Sequence, residues 1–260
     1  MSKDPAQRTA LVMAASRGLG RGSAEALASD HRLVLCARNA DRLQTLAAEL
    51  RERGADVVTI AADVSRPRDL DTVFDEATQS FGPVDVLVAN AGGPPPGSFL
   101  KLSEEQWHEA FELTFMSAVR AIRHVLPGML ERGFGRIIVI GSSSVKQPIE
   151  NLTLSNAFRP ALLGVVKSLA QEVARQGVTV NIVSPGRIDT DRVRTLDESR
   201  ARANNVTYEE FRSSNERSIP AGRYGEPAEL GALVAFLASD AAAYITGQSI
   251  LIDGGMVSAL

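Results

Sequence analysis

The chain has little cysteine, no large excess of one charge and no long apolar run, and each scarcity excludes a class of protein. Its single cysteine, Cys36, rules out an intrachain disulfide framework, argues against a metal cluster and favours a reducing compartment. With 28 basic and 31 acidic residues the formal net charge is -3, which argues against a broad nucleic-acid surface. No apolar run approaches the length of a membrane span. The opening MSKDPAQRTA lacks the apolar segment of a secretory signal, so we expect a cytoplasmic protein.

Length and composition are those of an ordinary globular protein. The chain has 260 residues, of which 44% are hydrophobic and 23% charged, and it could form one large or two small domains. No linker, repeat or low-complexity tract marks a boundary within it. We therefore predict a single domain over residues 1–260.

Strand and helix signals alternate along the whole chain. Each of the first six predicted strands is followed by a helical pattern, and continuous apolar strands separated by helices indicate a parallel sheet covered on both faces. Such doubly wound α/β sheets bind ligands at the carboxyl ends of their strands, where the strand order reverses. The predicted strands are Thr9–Met13, Arg32–Ala37, Asp56–Ala61, Val84–Ala89, Arg136–Ile140, Thr179–Val183 and Ser249–Ile252.

Local signals place several helix boundaries. Ser103 and Gln106 form a capping box for a helix that runs to Leu126, where Pro127 should end or bend it. The segment 191–225, in contrast, shows no clear periodicity. Its position after a strand end favours a substrate lid over a partly disordered loop.

The stretch Leu11 to Gly20, LVMAASRGLG, predicts a buried strand that runs into a glycine-rich turn and then a helix. Gly18 and Gly20 carry no side chains where a ligand would approach, and the N–H groups at the start of a helix attract anions. Glycine turns of this kind also occur where nothing binds. The turn alone therefore leaves phosphate binding open.

Several short motifs follow the predicted strand ends in order, and together they resemble those of the short-chain dehydrogenase/reductase family, in particular its 3-oxoacyl-(acyl-carrier-protein) reductase type. The resemblance covers nearly the whole chain. The motifs are AASRGLG at Ala14–Gly20, Asp63-Val64, Asn90-Ala91-Gly92, Ser142, Pro185-Gly186 with Thr190, Ile245–Gln248 and Asp253–Gly255.

The resemblance implies a Rossmann-like sheet of seven parallel strands and a nicotinamide dinucleotide. Gly18 and Gly20 would shape the pyrophosphate site with Ser16, Asp63 would accept a hydrogen bond from the adenine amino group, and Thr190 would bind the carboxamide. Alternatively, Asp63 caps the next helix and Asn90-Ala91-Gly92 is a plain turn. Further cofactor-binding residues implied are Ala14, Arg17, Leu19, Val64 through its N–H, Asn90 at the ribose, Ala91, Gly92, Pro185, Gly186 and Ile188.

The end of the second strand favours NADP(H) over NAD(H). An acidic residue there would bind the ribose 2'-hydroxyl and repel a 2'-phosphate. The chain has Ala37 followed by Arg38 at that place, and Arg17 lies in the glycine turn. Two guanidinium groups without a competing carboxylate suit a 2'-phosphate, although both could be solvated surface cations.

The chain departs from the family at its catalytic motif. Relatives of this type use a tyrosine as acid, a lysine four residues later, a serine and an asparagine. In this sequence Ser155 and Arg159 occupy the tyrosine and lysine positions, Thr114 replaces the asparagine, and Ser142 retains the serine. A serine hydroxyl is a much weaker acid than a phenol, and the serine side chain is shorter than that of tyrosine. Arg159 should stay charged at any working pH. Loss of a positioned acid typically lowers a rate by about 10² to 10⁴.

A milder departure places Ala14 where the family has the first glycine of the turn. We expect cofactor binding to survive, because an alanine there requires only that the residue avoid positive φ.

Three functions remain open at this point. The first is an oxidoreductase in which Ser142 and Arg159 hold the substrate oxyanion or Arg159 holds a substrate carboxylate; hydride could also add to a conjugated carbon. The second is a non-redox lyase or isomerase, and the third is a silent NADP(H)-binding sensor. Lys146 or Glu150 could supply the missing acid, but an exposed position is more typical of such residues. His31, His108 and His124 fall in predicted helices or loops away from the strand ends and should be structural or surface residues.

The resemblance also implies an assembly of several copies, a homotetramer or a homodimer. The helices around 110–126 and 155–174 would form the interface. Phe115, Val119, Leu162 and Val166 are compatible with that role, although core packing would explain them equally well. The expected partners are a small-molecule substrate and further copies of the chain, without nucleic acid, membrane or metal.

Overall fold

The computed structural model of the chain describes residues 7–259, so most of the opening that precedes the first strand lies outside the described residues. All seven predicted strands are present, with ends that differ from the prediction by a few residues at most. They are β1 (Arg8–Met13), β2 (His31–Ala37), β3 (Val57–Ala61), β4 (Val86–Ala89), β5 (Gly135–Ile140), β6 (Val178–Pro185) and β7 (Ser249–Ile252).

The seven strands form one parallel sheet in the order β3-β2-β1-β4-β5-β6-β7. The chain moves outward from β1 to β3, returns to the centre at β4 and then moves outward in the other direction. The order therefore reverses between β1 and β4, and the sheet opens a crevice at their carboxyl ends. This Rossmann-like α/β architecture confirms the predicted fold class.

Helices cover both faces of the sheet because successive strand residues point to opposite sides. Leu11 and Met13 of β1 pack in a core with three helices, whereas Ala10 and Val12 pack with three others. The described helices are α1 (Gly18–Leu27), α2 (Ala40–Glu52), α3 (Pro67–Phe81), α4 (Glu104–Phe111), α5 (Ser117–Arg132), α6 (Thr153–Val173), α7 (Asp191–Ala203), α8 (Tyr208–Ser218) and α9 (Pro227–Ala238). Helices α3, α5 and α6 lie on the first face, and α1, α2 and α9 lie on the second.

The helical region after Ser103 differs from the prediction at Pro127. Ser103 and Gln106 form the expected capping box. Helix α5, however, continues through Pro127 to Arg132, where the prediction had the helix end or bend. Val125 and Met129 are buried on either side of the proline, and their packing against the sheet offsets the hydrogen bond that proline removes.

The segment 191–225 contains two helices that apolar periodicity did not reveal. Asp197 and Ala201 are the buried residues of α7, and none of the described residues of α8 is buried. The helices begin at polar caps instead: the Thr190 hydroxyl accepts from the N–H of Val193, and Thr207 with Glu210 forms a capping box. Ion pairs then fasten the segment to the loop after β6, with Arg187 bonded to Asp197 and Arg212 to Asp189.

Two residues of β2 show how the sheet buries reactive groups. Cys36 is fully buried, and burial raises the pKa of its thiol to about 12. His31 is the first residue of the strand, so its prediction as a helix or loop residue is wrong. Its ring Nδ1 lies 3.3 Å from the carbonyl oxygen of Leu27 at the amino end of the sheet.

None of the described helices combines the length and the apolar character needed to cross a membrane.

Candidate active site

A cavity of about 710 Å³ lies at the carboxyl ends of the first four strands, where the strand order reverses. We call it the large cavity. Most of the residues predicted to bind a cofactor form its wall: Ala14, Ser16, Arg17, Gly18, Leu19, Arg38, Asp63, Val64, Asn90, Ala91, Gly92 and Thr190. Of the remainder, Pro185, Gly186 and Ile188 lie in the wall of a second cavity, and Gly20 lies in neither wall.

The glycine turn after β1 leads into the N-terminus of α1. Arg17 is the cap residue, its side chain makes no capping hydrogen bond, and no acidic residue occupies the first turn. The N–H groups of that turn therefore lack a side-chain acceptor and the positive end of the helix dipole faces the cavity uncompensated. A Cβ on Gly20 would lie 2.9 Å from Asn90 Nδ2 and would collide with the carbonyl of Ala14. Gly20 is thus needed for packing within the turn and not for the approach of a ligand, which corrects its predicted role. The uncapped N-terminus of α1 itself fits a phosphate group.

Ala14 has a positive φ of 50°, so the prediction that this alanine avoids positive φ is wrong. The chain leaves β1 at this residue and turns so that the Ala14 carbonyl packs against the space that Gly20 leaves empty. A left-handed conformation costs an L-residue about 1–2 kcal/mol because its Cβ approaches the following carbonyl oxygen. The turn thus carries backbone strain at its first residue.

We predict that Ala14→Gly stabilises the protein by about 0.5–1 kcal/mol, because relief of the left-handed strain exceeds the entropy that glycine adds to the unfolded chain. Thermal unfolding should show a rise in Tm of about 1–3 °C. Ala15→Gly is the matched control: Ala15 is buried and does not share the positive φ, so this substitution should lower Tm. A lower Tm for Ala14→Gly would show that the turn is not strained.

Three arginines gather at the end of the large cavity next to β2. Arg38 follows the strand, Arg17 comes from the glycine turn, and Arg42 comes from the first turn of α2. Arg17 and Arg42 lie 3.4 and 3.8 Å from one oxygen of Asp191, and Arg38 lies 4.0 Å from Asp63. Two carboxylates therefore face three guanidinium groups in a largely exposed cluster. Sequence reasoning missed Arg42, because only the fold brings α2 beside the glycine turn.

Asp63 lies at the end of β3 and anchors the loop that follows. One carboxylate oxygen accepts hydrogen bonds from the N–H and the hydroxyl of Ser65. Burial alone would raise the pKa of Asp63, but these bonds and the charges of Arg38 and Arg66 lower it. The cap residue of α3 is Arg66, so Asp63 does not cap that helix. Its ionised carboxylate lines the large cavity and can accept a further hydrogen bond.

The loops after β4 and β6 close the crevice. Asn90 is buried, and its amide donates to the carbonyl oxygen of Met13 at 3.2 Å, which ties the end of β4 to the end of β1. The Thr190 hydroxyl accepts from the N–H of Val193, so it caps α7 while it lines both cavities. Ile188 is buried beside it. The structure thus brings the predicted nicotinamide-binding residues together at one place.

The small cavity, of about 260 Å³, adjoins the large one. It contains three of the four predicted catalytic residues, namely Ser142, Ser155 and Arg159. The two cavities share wall residues, which are Leu19, Asn90, Ala91, Gly93, Thr190 and Arg192. A reacting group in one cavity could therefore meet a substrate in the other.

Ser144 lies next to both serines of the small cavity, Ser142 and Ser155. Ser142 accepts a hydrogen bond from the N–H of Ser144 at 3.1 Å, and the hydroxyl oxygens of Ser144 and Ser155 lie 3.4 Å apart. Ser155 is buried in the first turn of α6. The serine hydroxyls can donate hydrogen bonds to a ligand, but a hydroxyl of this kind is a much weaker acid than a phenol. The described wall of the small cavity contains no tyrosine.

Arg159 is a buried cation in the wall of the small cavity. Only 7% of the residue is exposed, and Nη1 donates to the carbonyl oxygen of Ile140 at 2.5 Å. Burial and, to a smaller extent, the positive charge of Arg192 lower the pKa of Arg159 to about 10. Among residues 7–259 no carboxylate forms an ion pair with it. The group remains charged near neutral pH and has further N–H donors for a ligand.

Thr114, the fourth predicted catalytic residue, lies in neither cavity wall. It is buried in a π-helical turn, Glu112–Met116, between α4 and α5, and its hydroxyl has no hydrogen-bond partner within the structure. Sequence periodicity did not predict this turn. Such turns are frequent at functional sites, but Thr114 does not contact the small cavity from this position.

The other candidates for a missing acid lie elsewhere. Lys146 and Glu150 are exposed and belong to neither cavity wall. The three histidines also lie outside both walls. The structure instead adds residues that sequence reasoning missed, because α7 places Arg192, Asp197 and Arg200 in the wall of the small cavity. In the described part of the chain no three histidine, cysteine or acidic side chains gather as a metal site would require.

Comparison with known proteins shows the same architecture over the whole chain. The family model described as Enoyl-(Acyl carrier protein) reductase matches residues 13–257. The chain is 37% identical over 252 residues to the 3-oxoacyl-(acyl-carrier-protein) reductase FabG of Vibrio cholerae, covering 96% of this chain and 97% of that protein. A crystal structure of an actinorhodin polyketide ketoreductase with NADPH superposes with a TM-score of 0.93 at 34% identity, covering 96% and 97% of the two chains. L-Sorbose reductase of Gluconobacter frateurii, complexed with NADPH and L-sorbose, gives 0.92 at 33% identity over the full length of both chains.

Proposed function

The chain belongs to the short-chain dehydrogenase/reductase family of oxidoreductases, and from this premise we propose that it catalyses hydride transfer between NADP(H) and a small carbonyl or hydroxy compound. We further propose that it does so with Ser142 and Arg159 in place of the usual acid. The observation that carries the proposal is the large cavity, which combines an uncapped helix N-terminus with three arginines and adjoins a small cavity that contains a buried guanidinium.

The preference for NADP(H) rests on the cluster of Arg17, Arg38 and Arg42. A 2'-phosphate carries up to two negative charges and accepts bidentate hydrogen bonds from guanidinium groups. An NAD(H)-specific site would instead have a carboxylate at the end of β2, where this chain has Ala37. Crystal structures of two relatives contain NADPH, which supports the same preference.

Within the large cavity, we assign the pyrophosphate to the N-terminus of α1, and the adenine to Asp63 and the N–H of Val64. Asn90 would contact the nicotinamide ribose, and Thr190 would bind the carboxamide. When bound, the nicotinamide supplies or accepts a hydride, which is one proton with two electrons. The shared wall of the two cavities would hold its reactive carbon next to the substrate.

The residues of the small cavity determine what happens at the substrate oxygen. As hydride reaches a carbonyl carbon, negative charge develops on the oxygen, and a preorganised cation in a site of low dielectric constant stabilises that charge. Arg159 would supply the cation and Ser142 a hydrogen bond. The titratable wall residues are four arginines and Asp197, and Asp197 is already bonded to Arg187 and Tyr224. We therefore propose that a water molecule delivers the proton to the oxygen.

The proposal is tested by following NADPH oxidation at 340 nm with a panel of ketones, enones, 2-oxo acids and sugars. We expect turnover of at least one class. NADPH binding without turnover across a broad panel would favour a cofactor-binding sensor. Failure to bind any nicotinamide dinucleotide would reject both and favour non-redox chemistry on the same scaffold.

We also propose that the protein forms a homo-oligomer through α4 and α6. Trp107 and Phe111 of α4 contact Phe158 of α6 through their rings, with centroids 5.9 and 5.8 Å apart. Phe99, which is 67% exposed, extends this aromatic surface. Leu162 and Val166, in contrast, lie in the core of the chain itself. They are therefore core residues and the aromatic surface is the candidate interface.

A further inference from the structure

The wall of the small cavity carries a strong excess of positive charge. Its titratable side chains are Arg159, Arg187, Arg192, Arg200 and Asp197. The two oxygens of Asp197 are both occupied, since one is 2.5 Å from Arg187 Nη1 and the other accepts from the Tyr224 hydroxyl at 2.6 Å. Asp197 therefore neutralises Arg187, and three guanidinium groups face the cavity without a matching carboxylate in its wall.

The cofactor would account for only part of this charge. Arg192 lines both cavities, so it can serve the phosphates of a dinucleotide together with Arg17, Arg38 and Arg42. Arg159 and Arg200 line the small cavity alone. If the large cavity holds NADP(H), as proposed above, these two cations remain for the substrate.

The hydrogen bonds of both cations go to neutral groups. Arg159 donates to the carbonyl oxygen of Ile140, and Arg200 Nη2 donates to the carbonyl oxygen of Glu150 at 2.7 Å. No ion pair with a carboxylate joins either of them within the described residues. Burial lowers the pKa of Arg200, as does the charge of Arg187, while the charges of Asp197 and Glu150 act in the opposite sense. Partly desolvated cations of this kind are destabilising until an anion binds.

We propose that the substrate is a small carboxylic acid whose carboxylate binds Arg200, so that Arg159 and Ser142 are left for the reacting oxygen. The planar guanidinium matches a carboxylate bidentately. The cavity volume of about 260 Å³ lies just below the range of about 300–1,000 Å³ usual for small-molecule sites, which limits the acid to a compact molecule. For an oxo acid, NADPH would supply the hydride that adds to the carbonyl carbon, and a water molecule would protonate the oxygen, so that the products are a hydroxy acid, NADP⁺ and hydroxide. This inference rests on the proposed function.

The first test compares acids with their uncharged esters in the NADPH oxidation assay. A matched pair is 2-oxobutanoate and its methyl ester, each varied to saturation. We expect kcat/KM for the acid to exceed that for the ester at least tenfold. Equal or faster turnover of the ester would overturn the inference while the proposed reductase function stands.

Arg200→Gln should raise KM for the acid at least tenfold with a smaller change in kcat. The ratio of kcat/KM for the acid to kcat/KM for the ester should therefore fall. Arg202→Gln is the control, because Arg202 is an exposed residue of the same helix outside both cavities. A variant Arg200→Gln that lowers acid and ester turnover equally would indicate a structural role and overturn the assignment. The Kd for NADPH reports whether either variant disturbs the large cavity.

A binding experiment separates this inference from the proposed function. A calorimetric titration of the protein with oxamate in the presence of NADP⁺ detects a carboxylate site without turnover. Oxamate binding that Arg200→Gln weakens at least tenfold would support the carboxylate site even if no panel compound is reduced. Absence of binding by oxamate, benzoate and succinate to the wild-type complex would overturn it.

Discussion

Arg159→Ala should lower kcat about 10² to 10³-fold while the Kd for NADPH changes less than about twofold. Removal of one preorganised group that stabilises an oxyanion typically has an effect of this size. The cofactor should be unaffected, because Arg159 lies in the wall of the small cavity and not of the large one. Steady-state kinetics with the best panel substrate and a fluorescence titration with NADPH measure the two quantities.

Two further variants distinguish charge from packing at this position. Arg159→Gln keeps an N–H donor near the carbonyl of Ile140 but removes the charge, so it should lose as much activity as the alanine variant. Arg159→Lys keeps the charge and should retain more activity than either. Lys167→Ala is the control, since Lys167 is exposed two turns further along α6. Near wild-type activity of Arg159→Gln would contradict a role for the charge.

The same residue predicts a pH dependence. The pKa of Arg159 is lowered to about 10, so kcat should fall as pH rises through about 10 and the cation is lost. The effect on stability has the opposite sign. Between pH 10 and the higher ordinary pKa of a guanidinium in the unfolded chain, the unfolded chain binds the proton more tightly than the folded protein, so this group's contribution to stability rises with pH.

Arg38→Ala should raise the Kd for NADPH at least tenfold and the Kd for NADH much less. A hydrogen bond to a charged group is worth about 1.5–3 kcal/mol, and Arg38 is a largely exposed residue of the large cavity with its nearest carboxylate 4.0 Å away. NADH lacks the 2'-phosphate, so it should lose little when the guanidinium is removed. Fluorescence titrations of the variant with the two cofactors give both constants.

Arg42→Ala should act in the same direction, because Arg42 faces the same end of the cavity. Arg53→Ala provides the matched control, as Arg53 is an exposed residue at the far end of α2. If Arg38→Ala and Arg42→Ala leave NADPH affinity unchanged, or weaken both cofactors equally, the arginine cluster does not bind a 2'-phosphate.

The sheet could be predicted from sequence because its strands are buried on both faces. Runs such as Leu33–Ala37 and Ile137–Ile140 are apolar without interruption, and polar caps mark the helices between them. Helices α7 and α8 could not be found in this way, since they bury almost no apolar surface. The threonine caps at Thr190 and Thr207 were the available signal.

The site was predicted where it depends on strand ends and missed where it depends on packing between distant elements. Asn90 and Ser142 follow strands, so their position at the crevice followed from the fold class. Arg42 and Arg200 lie on helices whose orientation is set by tertiary contacts that periodicity does not report. Similarly, the positive φ of Ala14 and the π-helical turn at Thr114 depend on the packing around each backbone segment.

The most direct test of the central claim is a fluorescence titration of the wild-type protein with NADPH and with NADH under identical conditions. We predict that one molecule of NADPH binds per chain, with a Kd at least tenfold lower than that of NADH. Absence of binding, or equal or tighter binding of NADH, would contradict the assignment of the large cavity to NADP(H).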